Sequence, residues 1–230
     1  MMKRSLMATL GILVLTSGST QAQSDQVATP DCIPQVALDA YVQRSIERKA
    51  DIYASLSPEP GSTIFLGSSI IEEGPWNALF PNKAVLNWGI SAETTEDLMG
   101  RLDTVIKATP AEIILYTGGN DLSRLGRTPD QALENIELIV SRLEDALPET
   151  DIYLNTLFPR EEQHAQTIIQ VNDGIRELAK TSDIILIDGY PLFLGDNGAV
   201  NPIVSNDSIH LSGAAYQQWA GLIVKVMDAS

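Results

Sequence analysis

Near the C-terminus, in "NDSIHLS", Asp207 and His210 stand three residues apart; far upstream, Ser68 and Ser69 follow Gly67 at the end of the apolar run "TIFLG". A serine hydroxyl is a weak nucleophile until a neighbouring base takes its proton. An imidazole is suited to that task near neutral pH. A carboxylate behind the imidazole fixes its tautomer and stabilises the imidazolium that forms. Ser69, His210 and Asp207 therefore make a candidate nucleophile, base and orienting acid for acyl transfer. The same chemistry needs donors preorganised around the developing oxyanion. The candidates are the backbone N–H groups of Ser69 and Gly89 and the side-chain amide of Asn120. Gly89 closes the run "AVLNWG", and Asn120 follows two glycines in "YTGGNDL". Ser68 is the rival nucleophile and, with Trp88 and Arg160, a candidate substrate contact. Asp121 reads as a brace for its loop. Of the two histidines, His164 lies in the charged stretch "REEQHAQT" and reads as a solvated surface residue.

These residues have to be carried by something. Five short apolar runs, at 63–67, 84–89, 112–118, 151–156 and 183–188, are near-continuously Ile, Val, Leu and Tyr. That is the pattern of strands buried on both faces. Apolar residues at helical spacing fill 35–56 (Val36, Tyr41, Ile46 and Ile52 among them), 94–108, 129–146, 163–181 and 212–227. Thr128-Pro129 and Ser212 read as helix starts. Strand alternating with helix predicts an α/β fold, a parallel sheet covered by helices. In such sheets the working residues gather beyond the carboxyl ends of the strands. Ser69, Gly89, Asn120 and Arg160 all fall there.

Four blocks in this order resemble the SGNH (GDSL-like) serine esterase and lipase superfamily: "LGSSI", "NWGISAETTEDLMGRL", "YTGGNDL" and "DSIHLS". The resemblance spans essentially the whole chain after its N-terminal segment. It places the nucleophile at Ser69, the oxyanion donors at Gly89 and Asn120, and the acid and base at Asp207 and His210. It implies a flavodoxin-like three-layer α/β/α sandwich with a short parallel sheet of about five strands. It also implies hydrolysis of oxygen esters or thioesters with no metal and no cofactor. Ser68 stands where the family usually has Asp. That serine and "LFPR" are similar to the platelet-activating-factor acetylhydrolase-like branch.

Composition narrows the remaining possibilities. The 230 residues, 44% hydrophobic, suffice for one domain with a substantial core, expected over 35–230. Residues 1–22 have the layout of a secretory signal peptide: Lys3 and Arg4, a short apolar stretch, then small and polar residues ending at Ala22. Residues 23–34 read as a flexible leader. The apolar stretch is too short to span a bilayer, so stable membrane insertion is not expected. Cys32 is the only cysteine, which excludes an internal disulfide. A net charge of −15 repels phosphate backbones and argues against nucleic-acid binding. No Walker loop, HExxH, CxxC or dinucleotide fingerprint is present, and two histidines with one cysteine argue against zinc.

The expectation is a secreted or periplasmic serine esterase acting on short-chain acyl esters, such as O-acetyl groups on small molecules or carbohydrate. The alternatives are a lipase, lysophospholipase or thioesterase for longer chains, and a catalytically silent glycan-binding module. Loops 122–128 and 189–206 are expected to shape the pocket.

Overall fold

The computed structural model describes residues 34–230. The predicted signal peptide, Cys32 and nearly all of the predicted leader lie outside the described residues. The strands are β1 (Thr63–Gly67), β2 (Val85–Gly89), β3 (Glu112–Tyr116), β4 (Asp151–Asn155) and β5 (Ile185–Ile187). The longer helices are α1 (Gln35–Ala54), α7 (Pro129–Ala146), α8 (Ala165–Thr181) and α10 (Gly213–Met227). Shorter ones are α2 (Ser69–Glu72), α3 (Trp76–Leu79), α4 (Thr95–Gly100), α5 (Leu102–Lys107), α6 (Gly119–Ser123) and α9 (Tyr190–Phe193).

All five strands are parallel, in the order β2-β1-β3-β4-β5. This is the flavodoxin-like order of a three-layer α/β sandwich. Ile64, Phe65 and Leu66 are each fully buried, and so are Ile113, Ile114 and Leu115. Successive side chains alternate between faces, so both faces of the sheet are covered. Helices α4, α5, α7 and α8 pack on one another. Another face is closed by aromatics: Phe65 stacks on Trp76 at 4.0 Å, and Trp219 of α10 meets Trp76 and Phe158 edge-on at 5.0 and 4.9 Å. The Trp219 indole N–H finds a buried acceptor in Asn155 Oδ1 at 2.9 Å.

Sequence and structure differ at several places. The helix expected over 94–108 breaks into α4 and α5 at Arg101, whose backbone leaves helical geometry (φ −116°, ψ 9°). Its guanidinium turns inward onto Glu93 and the Trp88 carbonyl. The helix expected from 163 opens with a 3-10 turn, Glu162–His164. The stretch 189–206 holds α9 and a bridge between Leu194 and Val200 rather than plain loop. In α1 only Ile46 of the four named apolar residues is buried, while Val36, Tyr41 and Ile52 are exposed. Helix α1 packs on the core by one stripe, Val42, Ile46, Ala50 and Tyr53, and Tyr53 reaches β2 by donating its hydroxyl to the Gly89 carbonyl at 2.9 Å.

The order reverses at β1, with β2 on one side and β3 on the other. A crevice opens beyond the carboxyl ends of strands at such a switch point. The stretches that follow β1, β2 and β3 all lead into it.

Candidate active site

The β1–α2 turn is built for a sharp change of direction. Gly67 sits at φ 147°, and a Cβ there would lie 1.9 Å from the Tyr116 carbonyl oxygen of β3. No side chain fits. Ser68 is extended, and its carbonyl accepts the Ile71 and Glu72 N–H groups, both at 3.0 Å, which starts α2. Ser69 is the first residue of α2 and remains half-exposed at the crevice.

His210 arrives from the other end of the chain. Its Nε2 lies 3.0 Å from Ser69 Oγ, and its Nδ1 lies 2.7 Å from Asp207 Oδ2. With the proton on Nδ1, the ring donates to Asp207 and accepts from the serine hydroxyl. Asp207 Oδ1 in turn accepts the backbone N–H groups of Ile209 (2.9 Å) and His210 (2.7 Å) and the Ser205 hydroxyl (3.2 Å). Ser208, between acid and base, is held at φ 66°, a strained position for a residue with a Cβ. Burial opposes ionisation of Asp207, but the His210 ring and the two N–H groups outweigh it and hold the carboxyl well below the usual range. Helix α10 is tied directly to α2, because the Tyr216 hydroxyl donates to the Ile70 carbonyl at 2.8 Å. That bond fixes the element after the base against the element that carries the serine.

The oxyanion side corrects one expectation. The Gly89 N–H is not open to a ligand; it donates to Asn87 Oδ1 at 3.1 Å. Residue 89 is glycine because a Cβ would lie 2.2 Å from the Glu72 backbone nitrogen, so its bareness lets α2 rest on β2. Asn120 stands at the start of α6, half-buried, with one amide N–H given to the Glu93 carbonyl at 2.8 Å. Its second amide N–H has no partner among the described residues. Between Asn120 and α2 runs the segment 90–93. Glu72 Oε2 holds the Ser91 N–H at 2.5 Å and bonds the Ser91 hydroxyl, while Oε1 pairs with Lys49. Ala92 lies between Ser91, anchored to the serine-bearing helix, and Glu93, anchored to Asn120. Its φ is 63°, and its N–H donates to nothing among the described residues. Strain of this kind collects at functional sites.

The three candidate substrate contacts are buried. Ser68 is buried at the helix start, and His210 meets Ser69 instead. Trp88 is buried and stacks on Tyr53 at 5.5 Å, inside the core. Arg160 is buried too; it donates to Ser123 Oγ at 2.8 Å beneath α6 and pairs with neither Glu161 nor Glu162. Asp121 is the brace that was expected. Fully buried, it accepts the Thr95 N–H (3.0 Å), the Thr95 hydroxyl (2.5 Å) and Arg127 (3.1 Å), which ties α6 to α4.

The residues that sequence reasoning missed are Ala92 and the pair beneath it. Glu93 and Arg101 form a bidentate, fully buried ion pair at 2.5 and 2.7 Å. An alanine carries no mark of a left-handed backbone. The eight-residue spacing of Glu93 and Arg101 spans a helix break that periodicity did not foresee.

The sequence profile of the GDSL-like Lipase/Acylhydrolase family matches residues 65–218, which include Ser69, Asn120, Asp207 and His210. The chain is 27% identical over 164 residues to the alpha2 subunit of human platelet-activating factor acetylhydrolase IB, covering 66% of this chain and 70% of that one. A GDSL-like lipase from Bacteroides thetaiotaomicron shares the fold, with a TM-score of 0.71 and 23% identity over 80% of this chain and 98% of the other. So does a variant of an acetyl xylan esterase from Geobacillus stearothermophilus, at a TM-score of 0.60 and 20% identity, covering 74% and 96%. The chain belongs to the GDSL-like lipase/acylhydrolase family and is a carboxylic ester hydrolase.

Proposed function

We propose that this protein is a secreted or periplasmic serine esterase that removes short acyl groups, O-acetyl foremost, through an acyl-enzyme on Ser69. The single observation that carries the mechanism is the hydrogen-bonded line Ser69 Oγ, His210 Nε2, His210 Nδ1, Asp207 Oδ2, with links of 3.0 and 2.7 Å. Ser69 Oγ attacks the ester carbonyl carbon as its proton passes to His210 Nε2. Asp207 carries the resulting imidazolium. The oxyanion is met by the Ser69 N–H, the free amide N–H of Asn120 and the Ala92 N–H, which takes the part first expected of Gly89. His210 then protonates the leaving alkoxide, and the carbonyl re-forms as the acyl-enzyme. Water attacks that ester with His210 again as base, releasing the acid and restoring Ser69.

Acetate as the preferred acyl group rests on two supports. Relatives in sequence are named acetylhydrolases, and a neighbour in fold is named an acetyl xylan esterase. Export rests on the sequence of residues 1–22, with one catalytic domain at 35–230 behind the leader. The test is hydrolysis of p-nitrophenyl esters of graded acyl length by the protein and by Ser69→Ala. Acetate or butyrate should be cleaved best, and the variant should lose turnover by ~10³ or more. A best rate on long chains would replace this reading by a lipase or thioesterase. A variant as active as the wild type would remove Ser69 from the chemistry.

A further inference from the structure

Glu73 has no place in the mechanism, yet it stands beside it. It follows α2 directly, one turn after Ser69, and its backbone N–H donates to the Ser69 carbonyl at 2.9 Å. Its carboxylate Oε1 lies 3.8 Å from His210 Nε2, the nitrogen that faces Ser69 Oγ. The Glu73 side chain is about half exposed (48%), and His210 is 31% exposed, so the two are accessible side by side at the mouth of the site.

The neighbouring charges are already committed. Asp207 is held by His210 and two backbone N–H groups. Glu72 is held by Lys49 and Ser91, which also occupies the cation nearest α2. Arg124 donates to the Ala92 carbonyl at 3.1 Å. Among the described residues Glu73 makes no ion pair or side-chain hydrogen bond except its approach to His210. It is an uncompensated negative charge at the mouth.

Position decides what that charge touches. Nε2 is the atom that returns a proton to the leaving oxygen, so a group beside Nε2 borders the leaving group rather than the acyl group. A fixed charge there attracts a cationic alcohol and repels an anionic one, and it does so more strongly at a half-buried site than in free water.

Resting on the esterase reading above, we infer that Glu73 forms a leaving-group subsite for esters whose alcohol carries a positive charge. The acyl group is untouched by this preference. Esters with an anionic alcohol are the class it rejects.

Three phenyl acetates differing only at the meta position supply the test: 3-trimethylammonio, 3-tert-butyl and 3-sulfonato. The acyl group and the covalent chemistry are the same in all three. Differences in leaving-group reactivity cancel when kcat/KM ratios are compared between wild type and variant. The cation-to-anion ratio should be about tenfold higher in the wild type than in Glu73→Gln at low ionic strength, the neutral ester lying between. Glu73→Lys should push the ratio further in the same direction, and added salt should erode the wild-type preference. If Glu73→Gln slows all three esters equally, Glu73 serves His210 alone and the subsite is overturned. A ratio that survives Glu73→Gln overturns it as well. If none of the three, nor p-nitrophenyl acetate, is cleaved by the wild type, the esterase reading itself falls and the subsite falls with it.

Discussion

At the scale of single residues, the proposed mechanism depends on donors held in place before any substrate arrives. Asn120 has one amide N–H bound to the Glu93 carbonyl, which aims the other. Asn120→Ala should therefore lower kcat by ~10²–10³ with little change in KM, because the bond strengthens only as the oxyanion forms. Steady-state kinetics on p-nitrophenyl acetate checks this, and an unchanged kcat would dismiss the asparagine. Ala92 makes a different demand. At φ 63° its Cβ costs the fold about 1 kcal/mol or more relative to glycine. Ala92→Gly should stabilise the protein by up to about 1 kcal/mol and keep kcat within about twofold, since the N–H stays in place. Urea unfolding of the two proteins measures the first, and a loss of stability would show that the loop is not held left-handed. Asp207 adds a pH limit. Its carboxyl is held well below the ordinary value, so its contribution to stability is complete above the ordinary carboxylate range and is lost progressively as the pH falls from that range to the depressed value.

At the scale of elements, the site is a meeting of short pieces. Helix α2 has four residues, too few to hold a shape alone, and its position comes from what it lies on. Gly89 of β2 admits it; a Cβ would stand 2.2 Å from the Glu72 nitrogen and 2.6 Å from its Cα. Backbone cannot swing aside as a flexible side chain can, so Gly89→Ala must shift α2 bodily. We expect a loss of about 1–3 kcal/mol of stability and a fall in kcat on the order of 10². Thermal melts and kcat together decide it. A variant with normal stability and rate would mean that α2 has room to move. The break between α4 and α5 belongs to this scale too. Arg101 leaves the helix to reach Glu93 and the Trp88 carbonyl, and so secures the segment that carries Ala92.

At the scale of the whole molecule, that inward turn buries a charged pair. Arg101 and Glu93 are 4% and 1% exposed, and Arg101 Nη1 finds no partner among the described residues. Removing the whole partner leaves the Arg101 charge buried with neither counter-ion nor acceptor, so Glu93→Ala should cost about 3–5 kcal/mol. Burial pushes the Glu93 carboxyl up to about 7 against the pull of Arg101. An acid whose folded value lies above its unfolded one holds its proton more tightly in the folded chain. Its ionisation then removes stability progressively as the pH rises from about 4.5 to about 7. Wild-type stability should accordingly fall relative to Glu93→Gln as the pH rises across that window, because the variant lacks the titrating carboxyl. Denaturant titrations at several pH values test this, and a wild type that gains on the variant with rising pH would reverse the sign. The net charge of −15 acts over the same range as general self-repulsion in both proteins and cancels in the comparison.

The sequence by itself determined the alternation of five buried strands with helices, and so the parallel α/β sheet. It also determined Ser69, Asp207, His210 and Asn120 as a group worth joining. Those features are local or chemical: apolar runs must be buried, caps and prolines start helices where they stand, and scarce reactive residue types stand out. The tertiary structure decided the rest. The 3.0 Å contact of Ser69 and His210, 141 positions apart, exists only because α10 docks on α2. Gly89 looked like an open donor, and Trp88 and Arg160 stood as candidate substrate contacts, because a sequence shows which residue ends a strand but not what packs against it. Ala92 and the Glu93–Arg101 pair stayed hidden for the same reason. A left-handed alanine and a buried ion pair are conformations imposed by neighbours distant in the chain, and residue type alone does not record them.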